Sequence, residues 1–275
     1  MHLAGRYLPA WVARHRNGEI FMPLPTRLYL ASTVRKLARR TTWSEEDCEA
    51  FYSLPFSVKS ISSNSYIIRE NNLTTNCFVL LSGFAFRSKI VGNGGRQILS
   101  VHVPGEMLDL QHAFLGVADH SIQMMAAGDV AYVTAAAVRE LAFAFPAIGR
   151  AMWLETLIEA SIFREWIANV GRRDARTRIA HLLCEIAVRL QSAGLMTGNR
   201  YELPMTQEQI GDATGLTGVH VNRTLQVLRT EGLITRDKRA IQIEDWKALS
   251  AVGDFGTVYL HTDNPMSLDY ALGGI

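Results

Sequence analysis

The stretch from Thr206 to Gly232, TQEQIGDATGLTGVHVNRTLQVLRTEG, permits few folds. Thr206 with Gln209 three residues on has the form of a capping box, in which each side chain satisfies an amide that a helix start leaves unpaired. The helix predicted from it runs through Ile210 and Ala213 and stops at Gly215, where glycine supplies the left-handed turn of a helix end. Thr217 then caps a second helix, in which Val221, Leu225 and Leu228 recur at spacings of four and three and make one buried stripe. Thr217, Gly218, Val219, His220, Asn222, Arg223 and Gln226 are left for its other face. Most are short or hydrogen-bonding groups rather than the Glu/Lys mixture of an idle solvated surface. Such a helix suits the DNA major groove, where Arg pairs with guanine and Asn with adenine. The next segment, LITRDKRAIQI, predicts two strands around a tight turn at Asp237-Lys238-Arg239. That hairpin would be a wing, with Lys238 and Arg239 at its tip for phosphate contact.

LPMTQEQIGDATGLTGVHVNRTLQVLRTEGLI resembles the C-terminal domain of the Crp/Fnr superfamily of bacterial transcription regulators. The likeness extends upstream to about residue 45, and HVNRT at 220 to 224 is typical of one large branch. The resemblance implies a cytoplasmic homodimer that reads a palindromic site on double-stranded DNA under allosteric control by an upstream domain, with RNA polymerase as a partner if it activates. Arg223 is the foremost candidate for base contact, with Asn222, His220 and Gly218 secondary. Thr206, Gln207 and Thr217 would meet phosphates at helix N-termini.

At 275 residues the chain is long enough for two domains. Its charge is uneven: residues 171 to 239 hold eleven Lys or Arg against seven Asp or Glu, while residues 61 to 170 hold seven against nine. A local excess beside the two-helix motif fits a DNA-binding face. No apolar run of eighteen residues or more offers a membrane span, and the N-terminus lacks the apolar core of a secretory signal. Cys48, Cys77 and Cys184 are scattered and form no CxxC pair. The N-terminal cysteine group that holds an iron-sulfur cluster in the Fnr branch is missing, so no such cluster is expected.

The expected fold is α+β. Residues 1–25 read as a disordered extension, with Met22 a candidate natural start, and 26–146 as a β-roll effector domain with flanking helices. A dimerisation helix follows at 147–171, then a winged helix-turn-helix at 172–252 and a loose tail at 253–275. Leu28, Leu30, Val34 and Leu37 predict a first helix, and Ser44 with Asp47 caps a second. From about Lys59, short runs such as Tyr66 to Arg69, Cys77 to Leu81, Phe84 to Ser88, Ile98 to Val103 and Val130 to Val133 are separated by Gly and Asn turns. That pattern predicts an antiparallel barrel or roll, and the family resemblance implies an eight-stranded jelly roll.

Cyclic-nucleotide-binding relatives hold the phosphate with Gly-Glu and, about ten residues later, Arg-Ser. Aligning PGEMLDLQHAF on that segment places Asp109-Leu110 at the first pair and His120-Ser121 at the second. Imidazole replaces the guanidinium and Leu replaces the ribose-binding carboxylate, which argues against tight cAMP binding and leaves the effector unidentified. His102, His112 and His120 raise a haem or metal sensor, and the alternative function is a ligand- or haem-sensing module with DNA binding secondary. Their spacing has neither HxH nor a helical i, i+4 pair, so structural histidines are the expectation and no cofactor or metal is predicted.

Ile148 to Gly171 reads as one helix with two apolar stripes: Trp153, Leu157, Ala160, Phe163, Ile167 and Val170, and Ala151, Leu154, Ile158, Ile162 and Trp166. Two stripes need two partners, taken here as the same chain's roll and a second copy of the helix. Gly171 to Asp174 would be the hinge. No nucleophile elbow, P-loop or Rossmann glycine signature is present, so catalysis is not expected.

Overall fold

The structure is a computed structural model that describes residues 24–262. Met22 and the tail from 263 lie outside the described residues. Helix α1 (Leu24–Ala38) takes in the last two residues of the expected extension. It buries Leu30, Val34 and Leu37, whereas Leu28, assigned to the same stripe, faces solvent. Helix α2 (Glu45–Tyr52) starts with both halves of its capping box made: Ser44 Oγ accepts from Asp47 N at 3.1 Å, and the Asp47 carboxylate accepts from Ser44 N at 2.8 Å.

Eight strands follow: β1 (Phe56–Ile61), β2 (Tyr66–Ile68), β3 (Asn76–Leu80), β4 (Phe84–Ile90), β5 (Arg96–His102), β6 (Met107–Leu108), β7 (Ser121–Ala126) and β8 (Gly128–Thr134). They form two antiparallel four-stranded sheets ordered β1-β8-β3-β6 and β2-β7-β4-β5. Apolar side chains of both sheets meet inside, including Leu80, Leu108, Ile122 and Val130. The β3-to-β4 corner turns on Gly83 at φ +80°, where a Cβ would lie 2.7 Å from the Ala127 carbonyl oxygen, so a side chain there has neither the backbone nor the space it needs.

Helix α3 (Ala135–Ala144) leads into α4 (Pro146–Arg172), whose 27 residues extend for about 40 Å. One of its predicted stripes is buried by its own chain through Ala151, Ile158, Ile162 and Trp166, with Leu154 half-buried. The other narrows. Trp153 and Ile167 are 68% and 73% exposed, but Phe163 lies beneath the Arg87 guanidinium at 5.5 Å and Val170 packs toward Gly215. The helix runs past Gly171, and the break is confined to Arg173, which is extended at ψ 151°, and Asp174, the next N-cap.

The C-terminal region comprises α5 (Ala175–Ser192), β9 (Arg200–Glu202), α6 (Gln207–Thr214), α7 (Gly218–Thr230), β10 (Ile234–Asp237), β11 (Ala240–Ile243) and α8 (Trp246–Val252). It shares one core with the roll and α4: Phe86, Ile98 and Val101 pack in the same cluster as Trp166, Ile179, Leu183 and Ile210. The reading of the tail as loose is corrected for its described part. His181 and Phe255 rings lie 5.2 Å apart, Leu260 is buried, and the Tyr259 hydroxyl donates to Glu185 at 2.9 Å. Three apolar or aromatic side chains within six residues are enough to dock a segment whose composition is otherwise acidic and Gly-containing.

Candidate nucleic-acid interface and sensor centre

The reading head is built from local chemistry. Thr206 Oγ1 accepts from Gln209 N at 3.1 Å while Gln209 Oε1 accepts from Thr206 N at 2.9 Å, which fixes where α6 starts. Its end is set by Gly215 at φ +67°. Between them, Gly211 allows α7 to approach: a Cβ there would lie 2.4 Å from the Leu216 carbonyl oxygen. Only glycine permits that closeness, and the sequence pattern did not single this position out. Thr217 caps α7, its hydroxyl accepting from His220 N at 3.3 Å.

Val221, Thr224, Leu225 and Leu228 are the buried side of α7. Thr217, Val219, His220, Asn222 and Arg223 are all exposed, and Gly218 is half-buried. The Gln207 amide donates to Asn222 Oδ1 at 3.2 Å, tying the start of α6 to the outer face of α7. Arg223 has no hydrogen-bond or ionic partner among the described residues, so its guanidinium projects without internal competition. At Gly218 an added Cβ would meet nothing closer than 3.9 Å, so a side chain fits there in the protein alone.

The hairpin β10-β11 forms with register Asp237↔Ala240, and its turn places Lys238 at φ +52°. Lys238 and Arg239 are exposed at the tip. A third strand, β9, pairs with β11 and was not anticipated, because three residues leave too short a pattern to read. The head is docked to the roll by Arg96 of β5, which reaches Asp212 of α6 at 2.7 Å.

The four residues assigned to an effector pocket lie close together, but Arg87, His112, Asp119 and Glu159 complete the centre. Arg87 of β4 donates from Nη2 to Asp109 Oδ1 at 2.8 Å and from Nη1 to Glu159 of α4 at 2.6 Å. Its Nε lies 3.0 Å from His120 Nε2, which is also 2.8 Å from Asp109 Oδ1. His120 Nδ1 faces Asp119 at 2.6 Å. His112 Nδ1 is 3.3 Å from Asp109 Oδ2, close enough for an ion pair but misaligned for a hydrogen bond, so both atoms are buried without a hydrogen-bond partner. Leu110 is buried beside them, and the Ser121 hydroxyl accepts from Glu70 N at 3.0 Å.

Burial acts to raise the Asp109 pKa, but hydrogen bonding from His120 and the Arg87 charge outweigh it and hold the carboxyl well below its ordinary range. His112 moves down from its ordinary value, chiefly by burial. The centre is therefore closed on itself: its one guanidinium already faces two carboxylates and has no free edge for a phosphate. Arg87 and Glu159 escaped the sequence reading because their pairing is non-local, and His112, which the sequence offers only as a haem or metal candidate, stands here against Asp109. The available signal was Arg87 within FAFRSKI, an arginine two residues from Ala85 on one face of a strand.

Residues 58–144 match the family model of the cyclic nucleotide-binding domain, and residues 177–252 that of the Crp-like helix-turn-helix domain. The chain is 35% identical over 114 residues to the transcriptional activator protein FnrL of Cereibacter sphaeroides, a match spanning 40% of this chain and 46% of that protein. It is 26% identical over 191 residues to the nitrogen fixation regulation protein FixK of Azorhizobium caulinodans, spanning 68% of this chain and 75% of that protein. Among solved structures, FixK2 from Bradyrhizobium japonicum superposes with a TM-score of 0.68 at 24% identity, over 74% of this chain and all of that one. With a jelly roll, a long helix and a winged helix-turn-helix in the order these matches require, the chain belongs to the Crp/Fnr family of DNA-binding transcription regulators.

Proposed function

We propose that this protein binds a two-fold-related pair of DNA half-sites about one helical turn apart as a homodimer, and that the roll sets the angle at which the two reading helices are presented. The observation that carries the reading is the outer face of α7, where His220, Asn222 and the unpartnered Arg223 stand exposed beside the capped start of the helix. Arg223 is assigned to a guanine edge and Asn222 to an adjacent base. Thr206, Gln207, Thr217, Lys238 and Arg239 are assigned to phosphates.

Trp153, Leu157 and Ile167 leave an apolar strip on α4 that a second copy of the same helix would cover, which supports the dimer. No described helix is long and apolar enough to cross a membrane. A cytoplasmic location follows from DNA as the partner. Contact with RNA polymerase is expected if the outcome is activation, and catalysis forms no part of the reading. The domain limits proposed for this division of labour are 26–146, 147–171 and 172–252. Selection of bound duplexes from a random pool tests the reading. A recovered palindrome whose binding weakens steeply with salt is expected, and recovery of no enriched motif would refute it.

A further inference from the structure

A cavity of about 420 Å³ opens where α1, the β5-to-β6 segment, α4 and α5 meet, with the C-terminal segment at Leu260 on one side. It lies outside the closed Arg87–Asp109 centre and shares only Leu110 and Glu159 with the residues around it. Its floor is apolar: Val103, Met107, Leu110, Ile158, Ile162 and Leu260 line it.

Its rim is cationic. Helix α1 points two rows at it, Arg35 with Arg39 and Lys36 with Arg40, each at the i, i+4 spacing that places side chains on one face. The carboxylates of the lining are already engaged. Glu106 meets Arg189 at 3.0 Å and Lys36 at 3.3 Å, Glu155 meets Lys36 at 2.8 Å and Arg40 at 2.7 Å, and Glu159 belongs to Arg87. Arg35 and Arg39 are left with no carboxylate among the described residues. Arg39 donates only to the Ser192 carbonyl, at 3.2 Å, and both guanidiniums are exposed at the mouth.

We propose that this cavity binds an organic anion with an apolar body, its carboxylate or phosphate clamped by Arg35 and Arg39 and its chain lying on the Ile158–Leu260 floor. The volume falls within the range of small-molecule sites, and an apolar lining with a few convergent charges is the usual composition of one. The walls come from both the roll side and the DNA-binding side, so an occupant touches α1, α4 and α5 together. In a regulator, a ligand bound at that joint shifts the orientation of the reading heads by its differential affinity for the two arrangements. That consequence rests on the function proposed above, while the binding itself does not.

The test uses the full chain and isothermal titration with octanoate, octyl phosphate and the neutral 1-octanol, together with the double variant Arg35→Ala/Arg39→Ala. Saturable binding of at least one anion is expected, with octanol weaker by about tenfold or more and the double variant weaker by a similar factor. Which anion binds identifies the head group. Binding of neither anion, equal binding of octanol, or binding unchanged in the double variant would overturn the proposal. Duplex binding by the ligand-free protein, measured in the same preparation, tests the DNA-binding function separately, and its change on adding the bound anion tests the regulatory consequence.

Discussion

Arg87 and Asp109 form an ion pair at 2.8 Å with side chains only 3% and 0% exposed. Removing one member leaves the other charge buried and uncompensated. Arg87→Ala is expected to destabilise the protein by ~3–5 kcal/mol, whereas Arg87→Met with Asp109→Asn loses much less. Urea denaturation of the two variants checks this, and equal losses would show that the pair is not coupled as described.

The same closure predicts that cAMP binds weakly or not at all, and that His120→Arg does not rescue it. The new guanidinium would enter a space already occupied by Arg87 and would face carboxylates that Arg87 has engaged. Calorimetric titration of both proteins decides the point; micromolar cAMP affinity in the parent chain would contradict it.

On the reading helix, Arg223→Ala is expected to lose ~1–3 kcal/mol of binding to the selected duplex and to relax preference at one base pair. Thr217→Ala should act differently. It removes the α7 cap and lowers folding stability by ~0.5–2 kcal/mol, and it also deletes a hydroxyl assigned to the DNA backbone. Thermal melts and titrations over several salt concentrations separate the two effects.

Replacing Trp153 and Ile167 together by Asp should leave the monomer fold intact, because both side chains already face outward. It should break the self-association proposed for α4. Sedimentation velocity is expected to show a dimer for the parent and a monomer for the variant, and identical sedimentation of the two would place the dimer contact elsewhere.

Acid should destabilise the chain in two stages. His102, His112 and His181 titrate below the ordinary value of 6.5 in the folded protein, each chiefly through burial. Glu106 and Glu155 are also held below their ordinary 4.5, because nearby cations outweigh the opposing effect of burial. All five groups bind protons more readily when unfolded, so the stability they contribute is full at about pH 7 and declines first near 6.5 and again near 4.5 as the pH falls. The urea midpoint measured at pH 7.5, 5.5 and 4.5 should fall in that order.

Much of the reading head was legible because its determinants are local: Thr206 with Gln209, the stop at Gly215, the cap at Thr217 and the stripe of Val221, Leu225 and Leu228 all lie within one short stretch. The roll was legible as a type but incomplete. Strand β1 has four exposed interior positions and pairs only with β8, and β6 is two residues long, so neither carries an apolar alternation strong enough to read. The Arg87–Asp109 centre was the least accessible part. Asp109 and His120 came from the family pattern, but Arg87 lies 22 residues from Asp109 and 72 from Glu159. Only the roll folded against α4 brings Arg87, Asp109 and Glu159 together.

The docking of Phe255, Tyr259 and Leu260 bears on how the reading head can be transplanted. A chimaera that grafts residues 175–252 onto another sensor would carry the base-reading face but omit the strap that lodges Tyr259 against Glu185 and His181. Extending the graft to residue 262 would preserve that fastening, and any affinity tag at this end would need a spacer long enough to leave it seated.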